Sequence, residues 1–228
     1  MGLNKTNGNM YPWVSHTWNP LAGRCQHDCS YCYMKRSFLG KLKKYHGKVR
    51  LIEDDLETDL GSNNIIFVGS ATDIFGEWVP KETIEKILNQ CNKYENIYLF
   101  QTKNPARFNE FLKLIPQNSI LGTTLETNRD YSYISKAPKA SRRYQDFLSI
   151  DYPRKMISIE PILDFDLEEF FSWIKSINPE FVSIGADSKY NNLPEPNPQK
   201  IEELISLIKE LTEIRVKKNL KRVVKKIH

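Results

Sequence analysis

Six short apolar runs, each followed by a stretch with helical spacing, constrain this chain more than any other feature. The runs are Tyr11 to Trp18, Ile65 to Gly69, Ile97 to Thr102, Ile120 to Thr124, Met156 to Pro161 and Phe181 to Gly185. A continuous apolar run such as Ile65 to Gly69 reads as a strand buried on both faces of a parallel sheet, and the aromatic and β-branched residues of Tyr11 to Trp18 read as a first strand. Between them, helices are expected over Ser30 to Leu42, from Pro80 through Cys91, over Ala106 to Leu114, Ser141 to Leu148, Leu167 to Ile177 and Pro198 to Leu211. Strand–helix alternation implies right-handed βαβ units. About six units are too few for an eight-fold barrel. The expected fold is therefore α/β, a partial (β/α)6 TIM-like barrel. No linker, low-complexity tract or repeat interrupts it, so a single domain over 1–228 is expected, with a core from about 11 to 212 and a basic extension over 213–228.

Active sites of such folds gather at the C-terminal ends of the strands. Polar residues fall there in this chain: Ser70, Thr72 and Asp73; Gln101, Thr102 and Lys103; Thr124 and Glu126; Ser158 and Glu160. The loop after the first strand carries Cys25, Cys29 and Cys32 in the spacing C-x3-C-x2-C. Thiolates bind soft metals and iron–sulfur clusters. Three ligands on a four-iron cube leave one iron open to a small molecule, and S-adenosylmethionine (SAM) can chelate it through its amino and carboxylate groups. A zinc site with His16 or His27 as fourth ligand is an alternative, although structural zinc usually takes two separated ligand pairs. A disulfide framework is disfavoured, because Cys91, the only other cysteine, lies on the apolar stripe of a helix and is expected in the core.

The hydrophobic fraction of 40% and charged fraction of 27% are those of an ordinary soluble globular protein. No apolar run reaches the roughly 20 residues that span a bilayer, and no signal-peptide pattern opens the chain. Free thiols and an oxygen-sensitive cluster imply a reducing cytoplasm. The net charge of +5 is concentrated in segments 35–50 and 215–226. Both are candidates for nucleic-acid contact, with Tyr45 and His46 as stacking partners. The alternative is a solvated helix face and a ragged basic tail.

The cysteine spacing, with Tyr31 just before the third cysteine, resembles the radical SAM superfamily. Several blocks resemble a narrower group in it, the phage Gp37/Gp68-like proteins. They are Thr17 to Pro20, Phe67 to Phe75, Phe100 to Pro105, Leu121 to Glu126, Ser158 to Leu163 and Val182 to Gly185. The resemblance implies a barrel of radical SAM type and a [4Fe–4S] cluster on Cys25, Cys29 and Cys32. It further implies Tyr31 near the adenine of SAM, Ser70 and Lys103 at its methionine part, Glu126 and Glu160 at ribose hydroxyls or substrate, and the Gly185 backbone close to adenine. Spore photoproduct lyase, a DNA-repair enzyme, is a more distant relative. Its reaction uses a hydrogen-donating cysteine beside the serine that ends the second strand. Here that neighbour is Gly69, which argues against the same reaction.

The expected chemistry is reductive cleavage of SAM, with an electron from an external one-electron reductant, to a 5′-deoxyadenosyl radical that abstracts hydrogen from substrate. No Ser-His-Asp set, HExxH motif or Gly-rich phosphate loop competes with this reading. A nucleobase or nucleic acid is the expected substrate. A small metabolite or peptide, and a non-catalytic iron–sulfur or zinc module, are the alternatives.

Overall fold

A computed structural model describes residues 2–6 and 11–224. Lys225 and Lys226 of the second basic segment lie outside the described residues. In chain order the described strands are β1 (Asn4–Lys5), β2 (His16–Trp18), β3 (Leu21–Ala22), β4 (Arg50–Leu51), β5 (Ile65–Val68), β6 (Ile97–Thr102), β7 (Ser119–Thr124), β8 (Lys155–Ile159), β9 (Phe181–Ile184) and β10 (Glu213–Val216). The described α-helices are α1 (Phe38–Lys41), α2 (Glu53–Leu56), α3 (Lys81–Cys91), α4 (Ala140–Leu148), α5 (Leu167–Ile177) and α6 (Pro198–Leu211). Eight strands form one mostly parallel sheet in the order β1-β2-β5-β6-β7-β8-β9-β10. The pairs β2–β5, β5–β6, β8–β9 and β9–β10 are parallel, and β1 adds to β2 antiparallel. Strands β3 and β4 form a separate antiparallel pair.

The chain divides into two compact units, Met1–Asp28 with Cys32–Leu121, and Cys29–Tyr31 with Gly122–His228. In the first, Trp18, Val68 and Phe100 lie level on β2, β5 and β6. The polar residues that follow these strands therefore leave the sheet at one edge. The apolar stripe Ile84, Ile87, Leu88 and Cys91 buries α3, as helical spacing requires. Phe75 packs edge-on against Phe108, with ring centroids 4.6 Å apart, and contacts Phe100 and Phe111 at 6.0 Å each.

In the second unit Ile159, Ile184 and Val216 lie level on β8, β9 and β10. Helix α6 starts on Asn197, whose side chain accepts from Lys200 N at 2.9 Å, with Pro198 in the first turn. Such a cap is worth about 1 kcal/mol. Helix α5 ends where Asn178 turns left-handed, at φ 50°.

Three expected elements differ. The first strand is only His16–Trp18. Ser30 to Leu42 is not one helix: 3-10 turns at Tyr33–Lys35 and Lys43–Tyr45 flank the four-residue α1. The chain doubles back there, since a Cβ on Gly40 would lie 1.6 Å from the Met34 carbonyl oxygen. The helix over Ala106 to Leu114 is a 3-10 helix, Pro105–Glu110. Buried Arg107 donates from Nη1 to the carbonyls of Gly76 at 3.0 Å and Val79 at 3.1 Å, and these long-range bonds override the local pattern. Residues 213–216, expected in a basic extension, form a strand parallel to β9.

Candidate active site

In the first unit, Asn19 follows β2 and Ser70 follows β5. The Asn19 carboxamide oxygen accepts from Ala71 N at 2.9 Å and from Ser70 Oγ at 3.3 Å. Tyr33, next to Cys32, donates its hydroxyl to the Ser70 carbonyl at 3.1 Å. Burial, and then the neighbouring Cys32 sulfur, push its phenol pKa upward. Cys25 and Cys32 are both half-buried.

Asp73 is the polar centre of this unit. Its Oδ2 lies 2.8 Å from His27 Nε2 and accepts from Thr102 Oγ1 and from the backbone N–H of Lys103, each at 2.9 Å. Oδ1 accepts from Phe75 N at 3.0 Å. Burial alone would raise this carboxyl, but the bonds from His27, Lys103 and Thr102 hold it below the ordinary carboxylate range. His27 sits between Cys25 and Cys29 in sequence, so the pair ties the cysteine loop to the end of β6. The Lys103 side chain is half-buried beyond that point.

Gly69 has φ +77°, and a Cβ there would come 2.5 Å from Ile74 Cγ2 and 3.0 Å from the Thr72 carbonyl. A side chain there, a hydrogen-donating thiol included, would strain the backbone and displace Ile74.

In the second unit, Cys29 is buried with its Sγ 3.1 Å from Ser135 Oγ. Two residues on, Tyr31 donates its hydroxyl to Glu126 Oε1. Glu126 is itself buried and ion-paired with Arg143 Nη2 at 2.8 Å. Arg143 also donates from Nε to the Pro138 carbonyl at 3.0 Å and from Nη1 to the Thr124 carbonyl. Burial first, and then the Glu126 charge, push the Tyr31 pKa far up. The phenol stays protonated, and Glu126 orients it. Glu126, Arg143, Tyr131 and Ser135 line a small cleft within this unit.

The level register of β8, β9 and β10 brings Glu160, Gly185 and Lys217 out side by side. Glu160 accepts from Ser183 Oγ at 2.6 Å and pairs with Lys217 Nζ at 2.8 Å. A Cβ on Gly185 would meet Asn219 Oδ1 at 2.9 Å and Lys217 at 3.3 Å, so the chain after β10 already fills the space beside this glycine.

The donor set suits an iron–sulfur cluster. None of the four cysteines forms a disulfide, and three of them stand in one loop. Among the described residues no three His, Cys, Asp or Glu side chains converge on a point where a single metal ion could sit. A cube spreads its cysteines over separate irons and needs no such convergence. His27 Nε2 is engaged by Asp73, and His16 Nδ1 lies 2.9 Å from Ser15 Oγ. Cys91 is fully buried in α3, and burial pushes its thiol pKa up.

The two basic segments differ. Arg215 pairs with Glu213 at 2.8 Å, Lys217 with Glu160, and Arg222 with Glu195. Tyr45, expected to stack on bases, is buried, with the Lys44 ammonium 5.5 Å from its ring centroid. His46, the other expected stacking partner, is exposed with Nε2 3.1 Å from the Gly40 carbonyl oxygen; Phe38 is exposed too, and Tyr33 is exposed just before the segment. Asp73 stood among the strand-end residues, but no sequence signal tied it to His27. Arg143 carried no sequence signal at all.

The fold is that of spore photoproduct lyase. A cysteine-to-serine variant of that enzyme superposes with TM-score 0.63 at 11% identity, covering 92% of this chain and 78% of the lyase chain. A cysteine-to-alanine variant gives TM-score 0.62 at 10% identity over 94% and 80%. A third structure, a variant with AdoMet and a dinucleoside spore photoproduct bound, gives TM-score 0.58 at 13% identity over 90% and 65%. No curated protein matches the sequence. The chain belongs to the family described as protein of unknown function DUF5131, whose model matches residues 9–189. That range takes in every block quoted above for the sequence resemblance.

Proposed function

We propose that this protein is a radical SAM enzyme. The observation that carries the reading is the C-x3-C-x2-C loop, its thiols outside any disulfide, in a chain with the fold of spore photoproduct lyase. Cys25, Cys29 and Cys32 would hold a [4Fe–4S] cluster, with SAM at the remaining iron. When bound, these groups supply a one-electron cleavage that yields a 5′-deoxyadenosyl radical able to take hydrogen from an unreactive carbon.

The protein's own part is positioning and exclusion of water. Ser70 and Lys103 are assigned to the methionine end, where an ammonium opposite a carboxylate fixes orientation. Tyr31, held by Glu126, is assigned to the adenine, Glu126 and Glu160 to ribose hydroxyls or substrate, and the Gly185 backbone to the adenine. Because Glu126 and Glu160 each carry a cationic partner, they are read as orienting groups rather than proton carriers.

The substrate class is a nucleobase or nucleic acid. Support comes from the dinucleoside ligand of the lyase structure and from the cationic segment after the cysteines. An external one-electron reductant, a reducing cytoplasm, a partly closed barrel and kinship with the phage Gp37/Gp68-like group belong to the same reading. No described helix is long and apolar enough to cross a membrane.

The test is anaerobic reconstitution with iron and sulfide, followed by dithionite and SAM. A brown protein that releases 5′-deoxyadenosine or consumes SAM supports the proposal. A colourless protein that holds one zinc and leaves SAM intact overturns it.

A further inference from the structure

From Cys29 to Ile52 the chain carries no Asp or Glu. Lys35, Arg36, Lys41, Lys43, Lys48 and Arg50 are all exposed in this stretch. Among the described residues no carboxylate pairs with Lys41, Lys43, Lys48 or Arg50. The two other lysines are held: Lys35 bonds Asp28 at 2.9 Å and Lys44 bonds Asp55 at 2.6 Å. The acidic helix α2 that follows does not neutralise the rest, because Asp55 is buried on Lys44 and Glu53 pairs with Lys86 at 3.2 Å. Three apolar side chains project among these cations. Phe38 is 77% exposed, Tyr33 40% and Leu39 39%. One exposed ring is ordinary on a protein surface; three apolar side chains within seven residues, set among cations, make a patch.

The second basic segment is built in the opposite way. Its Arg215, Lys217 and Arg222 are spent on Glu213, Glu160 and Glu195. In sequence the two segments look alike; among the described residues the first keeps four cations without a carboxylate, Lys41, Lys43, Lys48 and Arg50, around exposed Phe38, whereas the second keeps Lys218 and Lys221, and the exposed ring near it, Tyr190, lies under the already paired Arg222.

We infer that residues 33–50 form a binding platform for single-stranded nucleic acid, with Lys41, Lys43, Lys48 and Arg50 on phosphates and Phe38 stacked on a base. Cations with interleaved exposed aromatic rings are the recognition chemistry of unpaired strands, whose bases have free faces; a duplex keeps those faces stacked and offers phosphates and groove edges instead. An anionic membrane also attracts cations and apolar residues, but it takes an amphipathic helix in its plane, and α1 has only four residues. The platform continues directly from Cys32 and Tyr33, so a strand held on it is led to the cysteine loop. This deepens the proposed nucleic-acid substrate and rests on that reading for its purpose, though not for its measurement.

The experiment uses the full chain reconstituted with iron and sulfide, and a fluorescent mixed-sequence single-stranded 12-mer. Binding should weaken steeply with salt and exceed that of the matching duplex. K41Q/K43Q/K48Q should weaken binding at least tenfold and flatten the salt dependence by about three phosphate contacts. Phe38→Ala should weaken it about tenfold, and Phe38→Tyr should restore it. Lys218→Gln with Lys221→Gln should change it less than twofold. All these side chains are exposed, so the far-UV circular dichroism and the iron content of each variant should match the parent. The inference is overturned by three results: no salt-sensitive binding, equal loss from the C-terminal pair, or binding only to vesicles containing phosphatidylserine. SAM cleavage without strand binding removes this inference and leaves the enzyme reading standing; strand binding without SAM cleavage does the reverse.

Discussion

His27 Nε2 lies 2.8 Å from Asp73 Oδ2, joining a residue of the cysteine loop to a carboxylate that also caps the end of β6 through Thr102 and Lys103. Both side chains are almost wholly buried. Since Asp73 keeps three other donors, loss of the imidazole should loosen the loop rather than unfold the unit. His27→Gln should speed amide exchange of residues 24–32 in the iron-free protein and lower the iron retained per chain. A His27→Gln protein with unchanged exchange in that loop would refute the tie.

The Glu126–Arg143 pair in the second unit is buried on both sides. Removing one partner strands the other in a low-dielectric interior, at about 3–5 kcal/mol. Arg143→Met should therefore lower denaturant stability by roughly that amount. The Arg143→Met/Glu126→Leu double variant should lose clearly less than the sum of the single losses. Simple additivity would show that the pair is not coupled.

Single replacements of Cys25, Cys29 or Cys32 by alanine should each abolish the broad visible absorption of the reconstituted protein. Cys91→Ala should keep that spectrum and its iron, and lose only stability. Iron loss in Cys91→Ala would mean that the ligand set is wrong.

Gly69→Cys asks whether the thiol used by the lyase reaction could be installed here. Positive φ and the 2.5 Å approach to Ile74 predict destabilisation by at least about 1–3 kcal/mol, read as a lowered melting temperature. A stable Gly69→Cys protein would contradict this packing.

Asp164 accepts from Arg129 and, at 2.8 Å, from Lys200. Partial burial raises its pKa, but Lys200 and Arg129 more than offset this, so the folded value lies below the usual carboxylate range. A depressed carboxyl contributes stability that is fully present above its unfolded pKa, about 3.9, and is lost as pH falls through the folded value. Asp164→Asn should thus be less stable than the parent at neutral pH, with the difference shrinking as the pH falls below about 4. A gap of constant size across that range would exclude the ion pairs as its cause.

Much of the frame was legible locally. Apolar runs marked β5, β6, β7, β8 and β9, and helical spacing marked α3, α4, α5 and α6 to within a residue or two. Helical spacing reports the one face that α3, α5 and α6 bury, and unbroken apolar runs report strands covered on both faces, as β7 and β9 are. The segment after the cysteines was misread because its course depends on the Met34 carbonyl packing against Gly40, a contact that periodicity does not encode.

By itself the sequence determined the α/β alternation, the reactive loop of three cysteines and the strand ends where polar residues collect, since each is a property of neighbours in the chain. Only the tertiary structure decided how charge is used. Lys217 meets Glu160 because β8, β9 and β10 end level, whereas among the described residues no carboxylate pairs with Lys41, Lys43 or Lys48. It likewise buried Tyr45, left Phe38 in solvent and delivered His27 to Asp73. Such pairings join residues tens of positions apart, and their energy depends on burial, which exists only once the chain has folded.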